Sequence, residues 1–425
     1  MGADAMSVDL SEQDREVQAT VHSFAEEVIR PAAKVLDRLP DPAGVIAPDS
    51  ILWEVVEHYR KLGLDQISSP DNGLSPAEQA RCMCIVSEET AWGDVGLAIT
   101  CGMTNFHQPW IQMTGDDELW ERYGAPGTNG IGCWAVTEPD HGSDSITFTE
   151  RHFSDPSLGA NCVATRDGDD YVIRGQKAAW VSCGSVATVA VLFCSVETEH
   201  GIAGRGGFVV PLDLPGIHRP QPLDKLGQRT LNQGEIFFEE VRVPSRWMVL
   251  GPEVFQLGLE TMLCHGNAGI AQLFVGVARA SYEHALTYAH GRVQGGMPIA
   301  EHQSVKARLF EMFMKVEAAK ALAQKVAVYN AVNPPSFQHS AAAKVFTTNT
   351  AFEVASAACQ IFGGNGMSRE YPVEKLLRDA RALPRPRHAD RRVSGREPRG
   401  RGPAPPPAFP IDVLPQHLWQ SIPAQ

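Results

Sequence analysis

Residues 134–144 read Trp-Ala-Val-Thr-Glu-Pro-Asp-His-Gly-Ser-Asp, and they stand between two kinds of sequence. Upstream, apolar residues such as Val17, Val21 and Phe24 recur at three- and four-residue steps, which indicates helices. Downstream, short β-rich runs are separated by Gly and Pro, which indicates a sheet. Within the stretch, Gly142 would let the backbone approach a ligand closely, and neighbouring hydroxyl groups could bind that ligand. Taken alone, the loop is most simply an ordinary polar turn.

The local patterns divide the chain into four stretches. Residues 1–130 are predicted to be a helical domain that begins with a capping box at Ser11 and contains a second one at Ser75. Residues 131–245 are predicted to be a small β domain with a hairpin turn at 167–170 and further strands at 188–193, 207–212 and 235–239. Residues 246–381 are predicted to be a bundle with long helices over 253–291, 302–330 and 338–362. The fold predicted is therefore α+β and mostly helical.

The last stretch, residues 382–425, differs from the rest in composition. Between residues 381 and 401 there are eight Arg residues against only Asp390 and Glu397. Repeated Pro excludes regular helix over most of the stretch. No apolar period remains that could bury enough surface to offset chain entropy. This tail is predicted to be disordered.

Bulk properties exclude several classes of function. The chain has 425 residues, a formal net charge of −13 and a hydrophobic fraction of 43 %. This acidity argues against a nucleic-acid-binding protein, and no apolar run approaches the length of a membrane span. The first residues lack the basic and apolar regions of a secretion signal, so a cytoplasmic location is expected. The nine Cys form no Cys-x-x-Cys pair, which predicts buried, reduced thiols and no metal site.

Three further segments carry candidate functional residues. Residues 175–182 read Gly-Gln-Lys-Ala-Ala-Trp-Val-Ser, and a Trp in such a strand is most often a core residue. Residues 224–229 read Asp-Lys-Leu-Gly-Gln-Arg and lead to Glu-Val-Arg-Val-Pro at 240–244. The third segment lies in the predicted bundle and comprises Arg292, Glu-His-Gln at 301–303, Gln-Ile-Phe-Gly-Gly-Asn-Gly at 360–366 and residues 371–380. Taken alone, Arg292 is most simply a solvated helix residue.

In their order and spacing, these segments and residues 134–144 resemble the acyl-CoA dehydrogenase family over roughly residues 9–381. The resemblance implies an N-terminal helical domain, a middle β-barrel-like domain and a C-terminal four-helix bundle, assembled as a homotetramer or homodimer. It implies FAD as the cofactor, an acyl-CoA or acyl-carrier thioester as the substrate, and electron-transfer flavoprotein as the electron acceptor. The reaction implied is α,β-dehydrogenation, in which a carboxylate takes the α-proton and a hydride leaves the β-carbon for the flavin.

By the same resemblance, two groups of residues would bind FAD. The flavin half would contact Trp134, Val136, Thr137, Gly142, Ser143, Trp180 and Ser182, and Ser143 would also contact the substrate. The ADP half would lie across a subunit interface against Arg292, Gln303, Gln360, Gly363 and Gly364. An Arg opposite a pyrophosphate makes charge-assisted hydrogen bonds, and glycines allow close main-chain contact.

The catalytic base that the resemblance implies is missing. Counted without gaps from residues 378–380, the family's catalytic Glu falls at Arg387, and a guanidinium stays protonated and cannot accept a proton. A minority of relatives carry the base on the first bundle helix, where the aligned position is Leu259. Glu260 follows one residue later, about 100° around a helix, and is the candidate base, with His265 as another.

Two explanations of this break stay open, namely a shift of reading frame near codon 382 and a genuinely divergent tail. The function predicted is FAD-dependent dehydrogenation of a thioester, impaired by the loss of the usual Glu. The alternatives are a flavin oxidase or monooxygenase on the same scaffold and an inactive flavin-binding remnant. A nucleic-acid arm is a further interpretation of the Arg-rich tail, although the tail offers few aromatic rings and the body is acidic.

Overall fold

The computed structural model describes residues 10–69, 72–125, 127–148, 153, 155 and 158–382. Its N-terminal part is helical, and a π-helical turn at Ala25–Ile29 joins the first two helices. Both predicted capping boxes are present, one between Ser11 and Asp14 and the other between Ser75 and Glu78. The helices are α1 (Glu12–Phe24), α2 (Arg30–Leu36), α3 (Ile51–Lys61), α4 (Pro76–Gly93), α5 (Val95–Gly102), α6 (Gln108–Thr114) and α7 (Asp117–Leu119).

The middle part is an eight-stranded sheet. Its strands are β1 (Gly132–Ala135), β2 (Val163–Asp167), β3 (Asp170–Ser182), β4 (Val189–Thr198), β5 (Gly201–Pro211), β6 (Ile217–His218), β7 (Gln233–Pro244) and β8 (Met248–Leu250). Seven of them follow the order β6-β7-β3-β2-β4-β5-β8, and β1 pairs with β4 in parallel. The predicted hairpin turn is confirmed, because Asp167 pairs with Asp170 across an antiparallel β2–β3 ladder. Every strand predicted in this part overlaps an observed one.

The C-terminal part returns to helices, which are α8 (Phe255–Gly291), α9 (Gln303–Val332), α10 (Phe337–Phe362) and α11 (Val373–Ala380). A short hairpin of β9 (Val293–Gln294) and β10 (Met297–Pro298) separates α8 from α9. The three long helices lie within two residues of their predicted bounds. The helix α10 ends at Phe362 and is capped by Gly363, whose φ of 60° favours glycine. No helix in the described ranges is both long and apolar enough to cross a membrane.

The order of helices, sheet and helices confirms the predicted fold class. The long helix α8 packs against α4, α9 and α10, and its Phe274, Val277 and Ala278 are fully buried in the largest core cluster. The tail predicted to be disordered, together with Arg387, lies outside the described residues except for Ala382.

A buried network of charges holds α8 against α4. Arg279 of α8 donates hydrogen bonds to Glu88 at 2.6 Å and to Glu89, both of which are buried on α4. Lys320 of α9 donates to the same Glu88 at 3.0 Å. Burial raises the pKa of Glu89, but hydrogen bonds from Arg279, Gln18 and His22 outweigh it and lower that pKa to about 2. Each of these charged side chains has a partner of opposite charge, so they can be buried between α4, α8 and α9 without a large loss of stability.

A second charged cluster, which we call the C-terminal lock, ties α11 to the rest of the chain. Lys375 pairs with Asp94 of the N-terminal helices and with Asp379 one turn along α11. Arg378 pairs with Asp37 at 2.7 Å. Asp37, Asp94 and Asp379 are all buried, so the lock supplies the cations that these carboxylates need.

Candidate functional site

The loop at 136–138 is held against β3 by a buried ion pair. Lys177 Nζ lies 2.6 Å from Glu138 Oε1 and donates a further hydrogen bond to the Val136 carbonyl at 3.1 Å. Both charged side chains are 0 % exposed. Glu138 also accepts hydrogen bonds from the backbone N–H groups of Asn161 and Cys162 at 2.6 and 3.2 Å. The carboxylate therefore has three donors, as a buried charge requires.

A main-chain hydrogen bond completes this junction, because Ala178 N–H donates to the Thr137 carbonyl at 2.8 Å. Two of the segments selected from the sequence, 134–144 and 175–182, are thus in direct contact. Thr137 therefore lies beside β3, which carries Trp180 two residues after Ala178 and Ser182 four residues after it.

Trp180 projects from an irregularity in β3. Lys177 pairs with Ile236 and Val181 with Gly234, so the three residues 178–180 face a single residue of β7. Such a bulge redirects side chains and is common beside active sites. Trp180 is 61 % exposed, although it lies within a strand of the central sheet. The ring is therefore not a core residue, and one of its faces is available to a ligand.

The remainder of the loop is open and polar. An added Cβ at Gly142 would meet no atom within 4 Å, and Gly142 N–H donates to Asp144 Oδ1 at 2.7 Å. His141 Nδ1 lies 2.7 Å from the other oxygen of Asp144. Burial raises the pKa of Asp144, but these hydrogen bonds outweigh it and lower that pKa overall. Ser143, half-buried, begins the short 3₁₀ turn Ser143–Ile146 that follows.

Trp134 and Val136 face the interior of the molecule. The Trp134 ring meets Phe193 edge-on with centroids 5.6 Å apart, and Val136 is buried in the same aromatic cluster. The start of α8 contributes Leu259, which is fully buried, to this cluster. The side chains of Trp134 and Val136 are therefore turned to the core, and the carbonyl of Val136 to Lys177.

Glu260 is half-buried on α8, one residue after Leu259, and no hydrogen bond to it is present among the described residues. The other carboxylate of α8, Glu283, accepts a hydrogen bond from the Trp92 indole at 2.6 Å and belongs to the charged network with Arg279. His265 is exposed. Glu260 is thus the carboxylate of α8 that stands outside an ion-pair network.

A second region of the predicted site is a cleft of 560 Å³ at the junction of α8, α9 and α10. Of the residues predicted for the ADP half, the cleft is lined by Arg292, Gln360, Gly363 and Gly364. Gln303 is exposed at the start of α9 but does not line it, although its neighbours His302 and Ser304 do. The floor is a stack of Tyr288 on Phe362, with centroids 3.9 Å apart.

Arg308 also lines this cleft, and the sequence motifs did not select it. Its spacing of four residues from Ser304 places both on one face of the first turns of α9, and that spacing was the available signal. No acidic side chain is present among the described residues that line the cleft. The start of α9 has no side-chain cap, so its first N–H groups and the helix dipole add to the positive potential.

Comparisons with known proteins match the chain over its helical, sheet and helical parts in turn. Three family profiles match in order: "Acyl-CoA dehydrogenase, N-terminal domain" over residues 11–130, the middle domain over 133–241 and the C-terminal domain over 258–385. The chain is 30 % identical to "Probable acyl-CoA dehydrogenase YngJ" of Bacillus subtilis (strain 168), covering 89 % of this chain and 95 % of that protein. It is 29 % identical to the mitochondrial short-chain specific acyl-CoA dehydrogenase of Rattus norvegicus, covering 88 % and 86 %.

Among solved structures, the chain resembles the butyryl-CoA dehydrogenase of Megasphaera elsdenii. The TM-score is 0.74 at 28 % identity, covering 88 % of this chain and 94 % of that one.

Proposed function

Because the chain belongs to the acyl-CoA dehydrogenase family, we propose that it dehydrogenates a short-chain acyl-CoA at an FAD site shared between two copies of the chain. At the level of the family it is an FAD-dependent oxidoreductase that acts on CH–CH groups. The observation that carries the proposal is the junction of the 136–138 loop with β3, because it gathers Thr137, Trp180 and Ser182 beside one exposed aromatic face.

The residues at this junction fit the flavin half of FAD. Trp180 offers a flat surface, the hydroxyl of Ser182 offers a hydrogen bond to a polar ring edge, and Gly142 leaves room for close approach. We assign Thr137 and Ser143 to the same surface, with Ser143 also facing the substrate. FAD, when bound here, supplies the acceptor for the hydride that leaves the β-carbon of the thioester.

The cleft between α8, α9 and α10 fits the ADP half. Arg292 and Arg308 give it two guanidinium groups, which match the charge of a pyrophosphate and can donate paired hydrogen bonds to its oxygens. The family resemblance implies that this half comes from the FAD of a neighbouring copy. Exposed apolar residues on the bundle, among them Phe310, Met314 and Val345, support burial against such a copy. We therefore propose a homodimer or homotetramer, in which each FAD contacts two chains.

The preference for short acyl chains is proposed from the relatives and from packing. Two of the three relatives named above, the rat and the Megasphaera elsdenii enzymes, act on short acyl groups according to their names. Beside Val136, the aromatic cluster contains Phe193 and Phe255 with centroids 4.9 Å apart, together with the fully buried Leu259. These large side chains leave less room for a long acyl tail near the loop. Electron-transfer flavoprotein is proposed as the acceptor of the electrons, on the family resemblance.

Turnover is proposed to be slow, because no carboxylate stands at either base position of the family. The first position falls at Arg387, outside the described residues, and the second at the buried Leu259. A positioned general base contributes roughly 10²–10⁴-fold, so this loss alone leaves slow dehydrogenation. Glu260 is the one carboxylate on α8 near that second position. Because it follows Leu259 by one residue, its side chain leaves the helix about 100° away from that of Leu259.

An anaerobic titration of the holoenzyme with butyryl-CoA tests the proposal. We expect slow bleaching of the visible flavin band, and fast bleaching after a relative's Tyr-Glu-Gly-Thr segment and final helix replace the residues beyond 381. Brisk bleaching of the unaltered chain that Glu260→Gln abolishes would instead assign the base to α8. Absence of bleaching in the grafted chain would contradict acyl-CoA as the substrate. Light scattering of the same samples should give a dimer or tetramer.

Admitting oxygen to the reduced enzyme separates the oxidase alternative. A dehydrogenase is expected to stay reduced until an artificial electron acceptor is added. Immediate reoxidation by oxygen alone, with stoichiometric oxygen consumption, would favour a flavin oxidase on the same scaffold.

A further inference from the structure

Residues 224–233, which we call the linking segment, are fixed to α11 at Gly227 and Gln228. Gln228 N–H donates to Asp379 Oδ1 at 2.5 Å, and its side-chain amide donates to the Asp379 carbonyl at 3.3 Å. Gly227 lies so close to α11 that an added Cβ would stand 2.1 Å from the Arg378 carbonyl oxygen. The segment therefore has little freedom to move relative to the C-terminal lock.

Within the linking segment, Lys225 holds the side chain of Gln233 in one orientation. Lys225 Nζ donates to Gln233 Oε1 at 2.9 Å and to the Leu231 carbonyl at 2.7 Å. An ammonium group has only donors, so it must face the oxygen of the amide and not its nitrogen. The Gln233 NH₂ group is consequently turned towards β3.

At β3, this NH₂ group contacts the surface assigned above to the flavin. Gln233 Nε2 donates to the Trp180 carbonyl and to Ser182 Oγ, both at 3.2 Å. A serine hydroxyl has one hydrogen and can accept two hydrogen bonds. Because Ser182 Oγ already accepts from Gln233, its single hydrogen is left to donate elsewhere. No acceptor for it is present among the residues that the structure describes.

We propose that Gln233 and Lys225 are positioning residues that keep Ser182 as a hydrogen-bond donor towards the flavin. The inference rests on the proposed function, which places Trp180 and Ser182 against the ring. Neither residue touches the ring itself, and both act through the Ser182 hydroxyl. The negative charge of the reduced ring lies on N1 and the C2 carbonyl, so a hydroxyl donor directed at those atoms favours the reduced form and raises the reduction potential of the bound FAD.

The test is Gln233→Glu, which keeps the size of the side chain and its bond to Lys225 but replaces the donor by an acceptor. The hydroxyl of Ser182 would then turn inward and donate to the carboxylate. We expect the reduction equilibrium of bound FAD to shift about tenfold towards the oxidised form, or about 30 mV for this two-electron couple. The potential is measured by dye equilibration of the holoenzyme, with no substrate present.

Two further variants show whether the effect passes through Ser182. Ser182→Ala should shift the potential in the same direction, and adding Gln233→Glu to it should cause no further shift. Lys225→Met frees the amide to rotate, so a smaller shift in the same direction is expected even if Gln233→Glu does not fold. Gln176→Ala, which removes a bond to Glu235 between the same two strands, serves as the matched control and should leave the potential unchanged.

The outcomes separate the two proposals. If Ser182→Ala shifts the potential and Gln233→Glu does not, the positioning role is wrong while the flavin surface stands. A full shift by Gln233→Glu in the Ser182→Ala background would also overturn it, because the effect would then bypass the hydroxyl. If none of the variants changes the potential or the visible spectrum, the flavin does not lie against Ser182, and both proposals fail.

Discussion

Replacing Lys177 by Met should destabilise the protein strongly, because it breaks an ion pair that is wholly removed from water. The substitution leaves Glu138 charged and buried with two backbone donors, and it leaves the Val136 carbonyl without its side-chain donor. Removing one partner of a buried pair typically costs about 3–5 kcal/mol. The same change at Lys61, whose partner Glu57 is exposed, should have no measurable effect and is the control.

The double variant Glu138→Gln with Lys177→Met distinguishes the charge from the packing. It removes both charges together, and Gln still offers an oxygen to the backbone donors, so mainly the Val136 carbonyl loses its partner. Its free energy of unfolding should therefore fall by only about 1–3 kcal/mol, which makes it more stable than Lys177→Met alone. The assay is urea unfolding at fixed protein and FAD concentrations, since both ligand and subunit binding shift stability. A double variant that loses as much as the two single variants combined would refute the reasoning.

Three further predictions follow from the structure. Arg292→Ala should raise the dissociation constant for FAD by about 10- to 150-fold, the equivalent of about 1.5–3 kcal/mol for a charged contact, as measured by recovery of flavin fluorescence. Arg174→Ala, which removes an ion pair with Glu240 on the sheet, should leave that constant unchanged. Equal effects of the two substitutions would contradict the assignment of the cleft to the ADP half. Trp180→Ala and Thr137→Ala should each alter the visible flavin spectrum while the circular dichroism stays that of the parent, and unchanged flavin absorbance and affinity in both would remove them from the site. Because the pKa of Glu89 is lowered from 4.5 to about 2, its stabilising contribution is complete above pH 4.5 and is lost as the pH falls towards 2. The parent should therefore lose more stability than Glu89→Gln across that window, and parallel unfolding curves would show that the network does not hold this carboxylate charged.

Local patterns predicted the elements of the fold well, because each depends on neighbouring residues. The capping box at Ser75 and the bounds of α10 could be predicted from the hydrogen-bonding groups and the spacing of nearby side chains alone. The bulge that exposes Trp180 could not be predicted, because it is defined by how many residues of β7 lie opposite β3. The ion pair of Lys177 with Glu138 joins residues 39 positions apart and could not be predicted from local sequence either.

The environment of each side chain in the motifs depends on how the strands pair. Trp134 belongs to the motif, and the parallel pairing of β1 with β4 brings its half-buried ring against Phe193. Gln233 belongs to no motif, and its contact with Ser182 depends on the register of β7 against β3. The neighbours of each side chain on the sheet are thus set by strand register, which cannot be deduced from one segment of sequence at a time.

The C-terminal lock has a consequence for synthesis on the ribosome. Asp37 and Asp94 are translated early, yet Arg378 and Lys375, which pair with them at short range, lie on α11 and are translated 341 and 281 residues later, respectively. The first helices can collapse during translation but cannot bury these carboxylates at low cost until residue 378 is free. A chain released before residue 373 would lack Lys375 for Asp94 and would leave Asp37 only the longer contact with Arg369, at 3.6 Å. A change of reading frame beyond residue 381 would leave this closing step intact.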